Sequence, residues 1–407
     1  MGLSTQSAIT SPLRWLPLAL LLLLALPAYA WKMEAGRINL SSTSGLNNLQ
    51  THTFQQVYDT PPIVVALPTT AGPNASALRI NNVTTTGFSM SPVEPNSEDG
   101  PHTSMTVAYI AIEPGTHTFP NGEVIEAGSV ATSEQQYNGN PSGRKGWESV
   151  SFSQAYTSPI VLADIQTTNN ETATIPRQSS TPWLTVAVDN ISNTGVDLAL
   201  ERSEEYDRRT GSNYRFDALA TTETIGYIVM SRGVLGNFRA NGNQLVNFES
   251  LYASNLVDGW NQGCDSLNYA GTYSSTPVVV ATKSSHNEVD GGWLRECSVN
   301  NSRLQLTVDE DTAQDNERNH AREDVSALLF STTFFYDSNA SAIATSNHLM
   351  LEADRIDLPP DRFTSVTFKQ VYDDPPAVFL LEDDGNPDPT SVRIRNITQS
   401  GFEVVPV

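Results

Sequence analysis

The chain has 407 residues, 39% of them hydrophobic and only 17% charged, and its 23 Lys and Arg against 45 Asp and Glu leave a net charge of −22. Globular proteins usually carry about 25% charged residues, so the profile suits small β domains with polar loops and argues against coiled coil and disorder. A field this negative repels phosphate backbones and argues against a nucleic-acid partner.

Residues 1–30 read as a signal peptide. A polar stretch ending in Arg14 precedes the apolar run Trp15 to Leu26, and Ala28-Tyr29-Ala30 offers the small residues that signal peptidase needs. The run is too short to span a bilayer comfortably, and no later segment reaches the ~20 apolar residues of a membrane helix. The expected product is exported, starts near Trp31 and carries no transmembrane segment; its address is periplasm, cell surface or extracellular.

The next elements are strands, and they recur. Phe54, Gln56 and Tyr58 alternate with their neighbours at the period of a half-buried strand. Pro61-Pro62 blocks helix and opens the apolar run Ile63 to Leu67. Leu78 and Ile80 lead to a turn at Thr84 to Gly87, then Phe88, and a further strand covers Val107 to Ile112. The aromatic-x-x-x-Tyr step returns as Phe152/Tyr156, Tyr269/Tyr273 and Phe368/Tyr372, each followed by a Pro-led apolar run at Pro159, Pro277 and Pro376. Units open alike with Glu34-Ala35-Gly36, Glu126-Ala127-Gly128 and Glu352-Ala353-Asp354. Thr53 to Val93 aligns with Thr367 to Val407 at an offset of 314 without a gap, and 19 of 41 positions are identical. The middle copies are looser. The anchoring prolines lie about 100 residues apart, domain spacing rather than that of a solenoid turn.

The predicted fold is all-β: tandem small antiparallel six-stranded β-sandwiches at 31–120, 121–240, 241–340 and 341–407, the last one incomplete because the counterpart of Val107 to Ile112 is missing. Truncation of a longer protein is the expectation. A helical turn is possible only around Glu317 to Asp324. Cys264 and Cys297, the only cysteines, form one disulfide in an oxidising compartment, contributing about 3–4 kcal/mol in the chain-entropy model.

With these residues in hand the repeat resembles the H-type lectin domain, through the Phe-x-x-x-Tyr-x-x-x-Pro-x-Val segment, the Asn-Val-Thr/Asn-Ile-Thr to Gly-Phe step and the closing Val-x-Tyr-x-Ala strand. Tandem exported units of this kind also resemble the N-terminal region of MshQ-type proteins of mannose-sensitive haemagglutinin (MSHA) pilus biogenesis. The lectin resemblance implies sandwiches that commonly trimerise and bind N-acetylgalactosamine-like sugars in clefts between subunits, through a His and a Trp near the closing strand. This chain has Tyr109, Tyr227 and Ala327 in that strand instead.

Sugar binding needs hydrogen-bonding groups and an aromatic face. The candidates are Tyr109 and Tyr227 as stacking faces with Arg79 and Arg393 as polar partners; the alternative is that the tyrosines pack and the arginines face outward. Glu382 to Asp388 and Asp309-Glu310-Asp311 lack calcium-loop spacing and read as solvated loops, so no metal is assigned. The six histidines stand in unrelated contexts, with no Gly-x-Ser-x-Gly or His-Glu-x-x-His. No catalytic residue and no cofactor is assigned. The expected function is that of an exported non-enzymatic cell-surface module associated with type IV (MSHA-like) pilus biogenesis or adhesion, with glycans or pilus and envelope proteins as partners. A secreted H-type lectin acting by itself is the alternative.

Overall fold

Period-two alternation and β-branched runs make nearly every regular element a strand, and Asn takes the left-handed turns that other L-residues avoid. Asn82, Asn190 and Asn396 stand at φ of 50°, 52° and 53° where the fourth strand of a repeat turns into its fifth. The structure, a computed structural model, describes residues 30–42, 45–96, 98, 102–137, 145–174, 180–202, 218–289, 291–312, 317–339, 354–360, 362–369, 372, 375–381 and 391–407. The protein is all-β: among the described residues the named elements are strands and three short 3-10 turns, and the strands pair antiparallel except for Gln135–Gln136, which runs parallel to its neighbour. The leader reading at 1–30 falls, apart from Ala30, outside the described residues. The stretch from Glu317 forms no helical turn; a strand begins at Glu323.

The first repeat supplies β1 (Lys32–Leu40), β2 (Gln50–Thr53), β3 (Ile63–Leu67), β4 (Ala77–Asn81), β5 (Gly87–Val93) and β6 (Met105–Ile112). Sheet β1-β6-β3 faces sheet β2-β5-β4, and Phe54, Tyr58, Val64, Ile80, Phe88 and Tyr109 are among the residues that fill the space between them. After β7 (Gly115–Thr118), the second repeat adds β8 (Val124–Thr132), β9 (Gln135–Gln136), β10 (Glu148–Ser151), β11 (Pro159–Ile165), β12 (Thr185–Ser192), β13 (Gly195–Glu201) and β14 (Glu223–Ser231). After β15 (Leu235–Ala240), the third adds β16 (Gln244–Val257), β17 (Asp265–Asn268), β18 (Val278–Lys283), β19 (Trp293–Val299), β20 (Arg303–Asp309) and β21 (Glu323–Phe330), then β22 (Phe334–Asp337). The second and third repeats copy the first: β11-β14-β8 with β10-β13-β12, and β16-β21-β18 with β17-β20-β19. Cys264 and Cys297 are joined, tying the entry to β17 to the end of β19.

The short strand after each repeat does not stay with it. β7 pairs with β8 of the second repeat, β15 with β16 of the third, and β22 returns to β1 of the first. Each repeat therefore lends a strand to the next, and the third closes the circle. At the closure Trp31 stacks on His117 (ring centroids 4.7 Å apart) and meets Tyr336 at 4.9 Å, while its backbone N–H donates to Ser338 Oγ at 2.8 Å.

Alternate side chains of β3, β11 and β18 point two ways. Val64 and Ala66 face their own sandwich, whereas Ile63, Val65 and Leu67 enter a common core with Ile160, Leu162 and the β18 valines. This explains why all three Pro-led runs are apolar throughout: each strand is buried on both faces. Burying each such side chain contributes roughly 1.5–3 kcal/mol. The strands are also sheet edges, whose free N–H and C=O groups need partners. Gln166 supplies them for Val64, accepting from its N–H at 3.0 Å and donating to its C=O at 2.7 Å. Ser326 and Thr282 accept from Val161 and Ala163, both at 3.2 Å.

The fourth repeat is described as one sheet, β23 (Thr364–Thr367), β24 (Val392–Arg395) and β25 (Gly401–Pro406), in the order β23-β25-β24. That is the order of β2-β5-β4 in the first repeat.

Candidate functional site

The first class of recurring polar residue is the opening glutamate. Glu34, Glu126 and Glu249 are all buried and occupy equivalent places in β1, β8 and β16. Each carboxylate collects donors from the loop carrying the aromatic-x-x-x-Tyr step, and Glu34 takes one more from β6. Glu34 accepts from Gln55 N (2.9 Å) and Tyr109 Oη (2.6 Å), and Glu126 from Ser153 N (3.0 Å) and Tyr156 Oη (3.1 Å). Glu249 accepts from Ala270 N (2.7 Å), Gly271 N (3.0 Å) and Tyr273 Oη (3.1 Å). Burial pushes the Glu34 carboxyl up to about 7, although the Tyr109 and Gln55 hydrogen bonds work against the rise.

Tyr109 and Tyr227 present no stacking face. They are 4% and 8% exposed and lie across the sheet from Gly36 and Gly128. A Cβ at either glycine would stand 2.7 Å or less from the tyrosine ring, so ring and glycine fill one space. In the third repeat the same pair is Ala327 opposite Leu251, the large residue having changed strand. Arg79 is sealed in rather than outward, and Arg393 is exposed on the fourth-repeat sheet.

The polar groups that do converge sit where one repeat meets the next, and each junction holds a Trp, a basic side chain and a carboxylate. Between the first and second repeats, Arg79 Nε pairs with Glu171 Oε2 at 2.5 Å and its guanidinium lies 4.6 Å from the Trp183 ring centre. Between the second and third, His286 Nε2 bonds Glu201 Oε2 at 2.6 Å, and Trp147 meets the imidazole edge to face at 5.6 Å. Between the third and first, Arg295 takes the position equivalent to Arg79. It pairs with Asp309 at 2.5 Å and donates to the carbonyls of Thr69 and Asn74 in the first repeat. Arg318 also binds Asp309 and lies 4.1 Å from the Trp260 ring centre. The first junction is closed, with both charged side chains at most 3% exposed. The second keeps Trp147 partly open over a His–Glu pair, and the third keeps Trp260 partly open.

Where β3, β11 and β18 converge, a small cavity is lined by Arg79, Asp164, Thr185, Thr282, Lys283 and Trp293, among others. Arg79 Nη2 and Thr185 Oγ1 are buried without a hydrogen-bond partner. Burial raises the Asp164 carboxyl to about 7. Such a space suits ordered water, which bridges polar groups of this kind.

Two histidines read as unrelated turn out to be equivalent. His102 precedes β6 and His320 precedes β21, each by the same interval. His102 Nδ1 meets Glu94 at 2.8 Å, and His320 Nδ1 meets the equivalent Glu310. The second repeat has Ala220 and Arg202 at these places. The Asp309-Glu310-Asp311 run is therefore no solvated loop: all three are buried, and Glu310 and Asp309 pair with His320 and with Arg295 and Arg318. Glu288, Glu310 and His320 bring ligand-type atoms within 4.8 Å of one another. His320 Nε2 is also 3.0 Å from Glu323. Burial works to lower the imidazole pKa, but the Glu310 and Glu323 hydrogen bonds override it and raise it. The ring thus lies hydrogen-bonded between the carboxylates of Glu310 and Glu323. The other acidic run, Glu382 to Asp388, lies outside the described residues.

No family model matches the chain. No solved structure matches it either. Over 283 residues, 67% of this chain, it is 23% identical to Halomucin of Haloquadratum walsbyi (strain DSM 16790 / HBSQ001), and the matched stretch is 3% of that protein. Among the described residues no helix is long and apolar enough to cross a membrane.

The junction residues left little trace in the sequence. Trp147 and His286 belong to different repeats, so no spacing announces their contact. A weak signal exists for the His–Glu pairs, since aligning Val107 with Val325 places His102 on His320.

Proposed function

We propose that the chain is an exported, non-enzymatic module of the bacterial cell surface, serving type IV (MSHA-like) pilus biogenesis or adhesion, with the ring of lectin-like repeats as its scaffold. The observation that carries this reading is the cyclic strand exchange. It consumes the ends of all three repeats in building one body, which suits a stiff element for display. The buried carboxylates of the junctions are each held by Arg, His or backbone N–H groups, which favours a scaffold over general acid–base chemistry. The disulfide fits an oxidising compartment, and the likeness to Halomucin is compatible with a cell-surface address. Antibody labelling of intact and permeabilised producing cells tests it: equal labelling is expected, and signal confined to permeabilised cells would refute surface display.

A second reading, a lectin acting by itself, is favoured by the Trp147–His286–Glu201 junction. It joins an aromatic face to oriented polar groups, the chemistry that sugars require. A glycan array probed with the intact chain separates the two. Binding lost in Trp147→Ala supports the lectin, whereas a blank array leaves the scaffold.

A further inference from the structure

The fourth repeat exposes a surface whose counterpart in the first repeat is buried, and the match runs residue by residue. The offset of 314 takes Ile63, Val65 and Leu67 to Ala377, Phe379 and Leu381. In the first repeat these three are at most 5% exposed, packed in the common core with the second and third repeats. In the fourth, Phe379 is 91% and Leu381 96% exposed. The residues between them, Val378 and Leu380, are partly covered and are the counterparts of Val64 and Ala66, which are buried facing their own sandwich. The two-sided pattern of β3 is thus kept, and only its outer side is bare. The same offset takes Arg79, closed over Glu171 and Trp183, to Arg393, which is exposed.

The spacing carries a further point. The close sequence match joins the first and fourth repeats, not neighbours, so the unit that recurs is three sandwiches long, the size of one closed ring. The fourth repeat has the surface of a ring's first member.

We propose that the face formed by Phe379, Leu381 and Arg393 docks a further sandwich of the second-repeat type, one offering an apolar strand like Ile160 to Ile165, a carboxylate like Glu171 for Arg393, and an indole like Trp183 beside it. Charge and shape both select this occupant. An apolar strand covers Phe379 and Leu381 as β11 covers β3, and the carboxylate meets an arginine that is the sequence counterpart of one already so paired. The second repeat of another copy of the chain is not free for the task, because its Gln166 and Glu171 already hold Val64 and Arg79 of its own first repeat.

The test extends the full chain. Val407 is the counterpart of Val93, so appending a second copy of residues 94–339 after it continues the repeat in register. Phe379→Cys is introduced with and without the extension, and the alkylation rate of the new thiol is followed. Protection is expected to slow alkylation by about tenfold or more, with Arg393→Glu reversing much of the gain by setting two carboxylates together. Unchanged alkylation in the extended chain overturns the proposal. Failure of the appended residues to fold, read by hydrogen exchange with the native ring as internal control, overturns it too, since the docked face is what should complete them. Protection of the introduced thiol in the unextended chain as its concentration rises would assign the face to a second copy and likewise refute it.

Discussion

Glu249 has three donors aimed at its carboxylate and almost no contact with water. Removing it leaves two backbone N–H groups and a tyrosine hydroxyl without their acceptor, each costing about 1–3 kcal/mol when buried. Glu249→Ala is therefore expected to lose about 3 kcal/mol or more in urea unfolding, and Glu249→Gln, which keeps one acceptor oxygen, clearly less. The same scale sets the response to pH. Burial lifts Glu34, Asp164 and Glu296 each to about 7, whereas in the unfolded chain they titrate near 4. Between those values the folded protein binds more protons than the unfolded one, so stability falls as pH rises toward 7. Glu323 runs the other way: burial opposes its ionisation, but His320, Lys283 and Ser285 hold it at about 2. Its contribution is complete above its unfolded pKa and is lost as the pH falls toward 2. The midpoint of thermal unfolding should peak near pH 5, roughly, and Glu34→Gln should flatten the decline above it; a midpoint higher at pH 8 than at pH 5 would refute the assignment. The Glu-Ala-Gly opening is plain in the sequence, but its roles were not. Glutamate reads as solvent-facing by default, and only the tyrosine opposite shows why glycine follows two places later.

At the scale of elements, the long apolar and alternating strands were legible because their own side chains carry the period. Ile63 to Leu67 and its copies declare a strand buried on both faces without reference to any partner. The short strands were not. Gly115–Thr118 and Leu235–Ala240 are weakly patterned, and what makes them strands is the edge of the following repeat. Pairing of that kind is set by geometry across the whole chain, which a local pattern does not encode. The edge strands make the same point in energetic terms, since β3 is stable at a sheet edge only because Gln166, a hundred residues later, caps it. Gln166→Leu keeps the bulk and strands one N–H and one C=O in an apolar setting, so a loss of about 2–4 kcal/mol is expected. Gln166→Glu, which still accepts from Val64 N–H but cannot donate to its C=O when ionised, should be rescued in part by acid. Equal stability of Gln166→Leu and the unaltered chain would show that the edge has no need of its cap.

For the whole molecule the decisive feature is that no repeat in the ring is complete without its neighbour. A tandem array of independent sandwiches unfolds as separate units, whereas units that exchange strands and share a core should open together. Trp31 gives a local handle on this global property, because it packs between the strand lent by the first repeat and the one returned by the third. Trp31→Ala removes a large buried side chain, at a cost of about 3–5 kcal/mol. If closure couples the repeats, that cost should appear in all three. Native-state hydrogen exchange is expected to show the amides of β3, β11 and β18 opening with one common free energy, lowered by a similar amount in Trp31→Ala. The amides of β25 in the fourth repeat should exchange through a weaker, separate opening and ignore the substitution. The outcome that breaks the argument is a loss of protection confined to β1, β7 and β22 while β11 and β18 keep theirs, for the strand exchange would then join the repeats without making them one cooperative body.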